Sequence, residues 1–89
     1  MIIVRFYGYY REALNIEKIE IGRAETLRDV LEKLRKLLGE KSSILFEKDG
    51  LKKELLLAVN SVVVKPDDIE DKKIVDGDVI SIMPLPSGG

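Results

Sequence analysis

Eighty-nine residues, 45% hydrophobic and 35% charged, suffice for one small domain with its own core and are too apolar for a disordered chain. Fifteen basic against sixteen acidic residues leave a net charge of −1, which offers no basic footprint to nucleic acid and no pull toward an anionic membrane. With neither cysteine nor histidine, the chain is excluded from disulfides, thiolate metal sites, cysteine nucleophiles and histidine acid–base catalysis.

Met1 opens directly into an apolar run without the pattern of a secretory leader, and no apolar run approaches bilayer length, so the cytoplasm is the expected compartment. In Ile2–Tyr7 the side chains alternate: Ile2, Val4 and Phe6 fall on one face, Ile3, Arg5 and Tyr7 on the other, wetter one. Gly8 breaks the run, and Tyr9–Leu14 reads as a turn or a short helix. Glu17–Ile21 alternates again with Ile19 and Ile21 inward, predicting an antiparallel hairpin with the first strand. Thr26 followed by Asp29 resembles a capping box at a helix start. Leu27, Val30, Leu31, Leu34, Leu37 and Leu38 then recur on one helical face, and Gly39 supplies the stop.

Glu40–Glu54 reads as an irregular charged segment with a turn at Asp49-Gly50, tacked to the core by Ile44, Leu45 and Phe46. Leu55–Val59 is a buried strand, Val62–Val64 a second short run ended by Pro66, and Asp67–Lys73 a surface loop. Asp76-Gly77 turns the chain into a last strand, Asp78–Met83, with Ile80 and Ile82 on one face and Val79, Ser81 and Met83 on the other. A single amphipathic helix is buried only by a sheet laid across it, and both chain-end strands keep a buried face if they lie side by side at its centre. The expected fold is therefore an α+β grasp-like roll, with a mixed sheet packed on one main helix, over residues 1–84.

Residues 85–89 form the expected tail, ending in Gly88-Gly89. Glycine has no side chain to pack, and fixing it costs more backbone entropy than fixing any other residue. What such a pair offers is a thin, flexible carrier for a carboxylate that another protein's active site can receive. The opposing reading is an ordinary loose terminus.

Together these pieces resemble a known family. Phe6-Tyr7-Gly8 with Arg11-Glu12, the Thr26–Leu34 helix start, Val59-Asn60, and Asp76-Gly77-Asp78-Val79 leading to a proline-containing Gly-Gly tail look like the ubiquitin-like sulfur carriers of the MoaD/ThiS kind. The similarity is greatest to the small subunit of molybdopterin synthase. Two positions depart: Ser61 stands where the family often has glycine, and Pro84-Leu85-Pro86 where adjacent prolines are common. The resemblance implies a ubiquitin-like β-grasp fold and a non-catalytic carrier with no bound cofactor. An adenylyltransferase of the MoeB type would consume MgATP to adenylate Gly89, with Gly88 giving access. A sulfur donor would convert the adenylate to a thiocarboxylate, and a large subunit of the MoaE type would receive the sulfur for molybdopterin. Alternatives are a ubiquitin-like modifier conjugated through Gly89 to lysines, a carrier for thiamine or tRNA thiolation, and a plain interaction domain.

No Gly-rich phosphate loop occurs in the chain, so the catalysts are expected in its partners. A carrier that brings its tail to a partner should dock through the surface beside the tail. Ile3, Arg5, Tyr7 and Met83, continued by Leu85, Pro86 and Ser87, are the expected contact residues; the competing expectation has Glu40–Glu54 covering that face. Tyr9 and Tyr10 with Arg11 suggest a stacking site or, more simply, a turn anchored by aromatics. Asp67, Asp68, Glu70 and Asp71 lack the ligand spacing of a calcium loop and read as solvated.

Overall fold

The computed structural model describes residues 1–86. In chain order it contains strand β1 (Ile2–Phe6), helix α1 (Gly8–Leu14), β2 (Lys18–Ile21), helix α2 (Leu27–Leu38), a 3-10 helix (Gly39–Ile44), β3 (Phe46–Glu47), β4 (Gly50–Leu51), β5 (Leu55–Val59), β6 (Val62–Val63), a 3-10 turn (Pro66–Asp68) and β7 (Val79–Pro84). Five strands form one sheet in the order β2-β1-β7-β5-β6, and β3-β4 is a separate two-stranded ribbon. The β1–β7 pair is parallel and central, with Val4 opposite Ile80 and Phe6 opposite Ile82; its neighbours β2 and β5 run antiparallel to it. This is the grasp-like roll that burial of the helix demanded.

The period-two alternation fixes which residues enter the core. Ile2, Val4 and Phe6 from β1, Leu57 and Val59 from β5, and Ile80 and Ile82 from β7 join Leu27, Val30, Leu31, Leu34 and Leu38 of α2 in one buried cluster. Thr26 caps α2 by the expected reciprocal pattern: its Oγ1 accepts from the Asp29 N–H at 3.2 Å, and the Asp29 carboxylate accepts from the Thr26 N–H at 3.2 Å. These contacts, together with the Glu25 N–H, hold the Asp29 carboxyl below the ordinary aspartate range, the Glu25 bond contributing most. At the other end Gly39 takes φ +57° and returns its N–H to the Arg35 carbonyl.

Leu37 departs from the expected stripe. It is 61% exposed, because it lies at the rim of the apolar face in the last turn, where Leu34 and Leu38 already fill the contact with the sheet.

The segment after α2 is more regular than its composition suggested. The 3-10 helix folds back along α2 and α1, the β3–β4 ribbon meets α2 at Arg35, and Leu45 and Phe46 enter the same core. Arg35 stacks its guanidinium 5.3 Å from the Phe46 ring centre. Glu40–Glu54 thus covers the helical side of the domain, and the sheet's other face is free of it. β7 also runs one residue further than expected, with Pro84 opposite Leu55 at its end.

Candidate functional site

β7 carries the chain toward the tail, and both of its ends are fixed. At its start, the Asn60 Oδ1 accepts from the Val79 N–H at 2.9 Å, while the Asn60 N–H donates to the Val79 carbonyl at 2.8 Å. Asn60 Nδ2 donates to Asp78 Oδ1, and the Val75 N–H donates to Asp78 Oδ2, both at 2.9 Å. These bonds, that from Val75 first and that from Asn60 second, hold the Asp78 carboxyl below the ordinary aspartate range. Two short stretches that resembled the family separately, Val59-Asn60 and Asp76-Gly77-Asp78-Val79, are therefore one hydrogen-bonded unit. Asn60 and Ser61 both have positive φ, 49° and 71°, as a two-residue hairpin turn between β5 and β6 requires.

The sheet face turned away from α2 holds the expected contact residues. Ile3 lies opposite Val79 and Arg5 opposite Ser81. Tyr7 continues the alternation in extended conformation, one step beyond the Phe6–Ile82 pair and level with Met83. Arg5 also makes a long, exposed ion pair with Glu17 at 3.9 Å, which adds little to stability. Ile3, Arg5, Val79, Ser81 and Met83 are all partly accessible. The structure thus brings Ile3, Arg5, Tyr7 and Met83 together on one surface.

Sequence reasoning missed three further members. Leu56 lies opposite Met83 and Ala58 opposite Ser81, and Val63 of β6 lies opposite Ala58. Ala58 is 2% exposed because a methyl group does not reach past its neighbours, whereas Val63 at the edge is 53% exposed. The unbroken apolar run Leu55–Val59 hid the alternation that assigns Leu56 and Ala58 to this face. The result is an apolar centre of Ile3, Val79, Leu56, Met83 and Val63. It is flanked on β2 by the charged side chains Lys18 and Glu20, opposite Arg5 and Ile3 respectively.

At the end of β7, Leu85 and Pro86 are exposed, and the Leu85 N–H donates to the Glu54 carbonyl at 3.1 Å. A groove of about 470 Å³ opens here, bounded by Tyr9, Tyr10, Lys52, Glu54 and residues 84–86. Tyr10 is buried against the core and meets Tyr9 edge-on at 5.3 Å between ring centres, so the aromatics anchor the turn. Burial raises the Tyr10 hydroxyl above the ordinary tyrosine value, and the Glu54 carboxylate adds to that rise. Ser87, Gly88 and Gly89, the expected chemical end of the chain, lie outside the described residues.

Among the described residues, no three acidic side chains converge as a metal site would need, and no helix is long and apolar enough to cross a membrane. The lowered carboxylates, Asp29 and Asp78, are both engaged by neighbouring N–H groups in a helix cap and a turn. What the described residues form here is a partly accessible sheet face and a chain end held beside it by the Leu85–Glu54 bond.

The sequence profile of the ThiS family matches residues 4–89. No curated protein matches significantly. Among solved structures, the small archaeal modifier protein 1 of Methanosarcina acetivorans is similar over 99% of this chain and 95% of its own, with a TM-score of 0.80 and 24% identity. A chain of the BexX/CysO complex of Amycolatopsis orientalis is similar over 100% of both chains, with a TM-score of 0.75 and 19% identity. A Pyrococcus furiosus protein assigned as molybdopterin converting factor subunit 1 is similar over 96% of this chain and 97% of its own, with a TM-score of 0.66 and 24% identity.

Proposed function

The chain belongs to the ThiS family of small, non-catalytic, ubiquitin-like carriers, and on that premise we propose that its Gly89 carboxylate is activated and loaded with sulfur for molybdopterin synthesis. The observation that carries this reading is that the family match runs through Gly88 and Gly89 themselves. It takes in the tail along with the domain.

The chemistry follows from the state of a carboxylate. With an α-carboxyl pKa near ~3.5, the group is ionised at neutral pH and is a poor electrophile. Its oxygen attacks the α-phosphorus of ATP bound by an adenylating partner of the MoeB type; the bond to pyrophosphate breaks and an acyl-adenylate forms. A sulfur nucleophile then attacks the carbonyl carbon, AMP leaves, and a thiocarboxylate remains. A large subunit of the MoaE type accepts that sulfur for a pterin. This chain contributes the acyl group and a docking face; the ATP site and the catalytic groups belong to its partners. In this reading the protein works in the cytoplasm, where its ATP-using partner would also act.

Ile3, Arg5, Tyr7 and Met83, with Leu85, Pro86 and Ser87 leading onto the tail, form the contact surface in this reading. A flexible methionine in an apolar centre suits a face that meets an adenylating enzyme and a synthase in turn. The likeness to a chain of the BexX/CysO complex supports docking to a partner protein, and the likeness to the P. furiosus protein supports the molybdopterin branch.

A second reading has its own support in the likeness to a small archaeal modifier: Gly89 would form an isopeptide with lysines of target proteins. Both routes begin with the same adenylate. Mass spectrometry of the protein from its own cells separates them. Replacement of one carboxylate oxygen by sulfur marks the carrier, and branched peptides ending in Gly-Gly on other proteins mark the modifier. In either case Gly89→Val should abolish ATP–pyrophosphate exchange without loss of folding, and full exchange by that variant would overturn activation at the tail.

A further inference from the structure

β1 gives way to α1 at Gly8, and that residue abuts the end of the last strand. Its φ is +56°, in the left-handed region. A Cβ at Gly8 would sit 3.2 Å from Pro84 Cγ and 3.3 Å from Pro84 Cδ, tighter than ordinary carbon contacts. The left-handed backbone favours glycine here, and any side chain would also press on the proline ring.

Pro84 suits this place for its own reasons. The last hydrogen bond between β1 and β7 runs from the Tyr7 N–H to the Ile82 carbonyl, at 3.0 Å. Two residues later the strand faces α1, where no ladder continues, so a residue without an N–H forfeits nothing there. On the opposite side the Leu85 N–H is bonded to the Glu54 carbonyl at 3.1 Å. The chain leaves the domain between a proline ring set beside the open side of Gly8 and a main-chain bond to the residue that precedes β5. Pro84, Leu85 and Pro86 are exposed, so this grip adds little to the core. What it fixes is the direction of exit.

We propose that Gly8 and Pro84 are positioning residues for the tail: their contact, with the Leu85–Glu54 bond opposite, aims the chain from Leu85 onward at the partner's active site. The inference rests on the carrier reading above. Five residues from Leu85 to Gly89 span at most about 17 Å, so a small change of angle at Pro84 displaces the carboxylate by several ångströms. A misplacement of about 1 Å at a reacting atom costs as much as roughly a hundredfold in rate. Pro84 and Pro86 also restrict φ, which lowers the entropy lost when the tail is received.

The test uses Pro84→Gly and Gly8→Ala in the full chain, with ATP–pyrophosphate exchange driven by the adenylyltransferase that activates the wild type. Amide hydrogen exchange should show Leu85 protected in the wild type and unprotected in Pro84→Gly, with an unchanged urea midpoint. In the enzyme assay kcat should fall roughly tenfold or more while KM stays near the wild-type value, because the docking face is intact. Wild-type kcat in Pro84→Gly, or an unprotected Leu85 in the wild type, would overturn the proposal. If Gly8→Ala fails to fold, Pro84→Gly alone decides. A wild-type chain that no adenylyltransferase activates would instead sink the carrier reading, and this inference with it.

Discussion

On β7, Ile80 and Ile82 have no solvent exposure, while Val79, Ser81 and Met83, interleaved with them, remain partly accessible. The same contrast runs through β1, where Val4 is fully buried and Ile3 and Arg5 on either side of it are not. A one-residue step therefore separates a surface that tolerates no polar atom from one that carries an arginine and a serine. The buried face is tied to α2 and gives the domain its stability. The accessible face makes fewer demands on stability, and it is the face proposed above to meet a partner.

The sharpest way to break this comparison is to place the same charge on each face. Ile82→Asp should cost more than about 4 kcal/mol, because an unpaired carboxylate would lie in the core, and the domain should lose its cooperative urea transition. Met83→Asp, one position away, should cost less than about 1 kcal/mol and weaken partner binding measured by titration calorimetry. Equal unfolding of the two variants would show that both faces are core.

A smaller effect sharpens the helical side. Leu34→Ala should destabilise by about 2–5 kcal/mol in urea denaturation, whereas Leu37→Ala, in the same helix but exposed, should stay within about 0.5 kcal/mol.

The turn that locks the start of β7 offers an effect of opposite sign. Ser61 holds φ at 71°, a conformation that costs a side chain about 1–2 kcal/mol and glycine little. Ser61→Gly should raise stability by about 0.5–1 kcal/mol after the added flexibility of the unfolded chain is deducted, read as a higher urea midpoint.

The mildest effect is one of pH. The folded Asp78 carboxyl lies below its unfolded value because the ionised form accepts hydrogen bonds from Val75 and Asn60. Its contribution is therefore present above the unfolded value near ~3.9 and is lost as pH falls through the lower folded value. In Asp78→Asn the acid limb of stability, measured between about pH 2 and pH 5, should flatten. An unchanged limb would mean that Asp29 and other carboxylates carry it.

Much of this was legible in the sequence because it is local. Alternation in Ile2–Tyr7 and Asp78–Met83 assigned Ile3, Arg5, Tyr7 and Met83 to one side of their strands, and Thr26 with Asp29 announced the start of α2. Where a pattern was absent, reading failed. The continuous apolar run at Leu55–Val59 concealed Leu56 and Ala58, and the charged composition of Glu40–Glu54 concealed a 3-10 helix and a ribbon held by Leu45 and Phe46. Leu37 satisfied the helical period and still faces solvent, because periodicity does not say where the opposing sheet ends.

By itself, the sequence determined the strands β1, β2, β5 and β7 and the helix α2, the inward residues of β1 and β7, the absence of thiol and imidazole chemistry, and the glycine pair that suits a carrier. These follow from backbone periodicity and side-chain chemistry within a few residues. Only the tertiary structure decided that Asn60 meets Asp78, that Leu56 and Val63 join Ile3 and Met83, and that Gly8 receives Pro84. Each of those contacts joins residues far apart in the chain, and they exist because closing the sheet around α2 fixes the strand order and register, which no local pattern encodes.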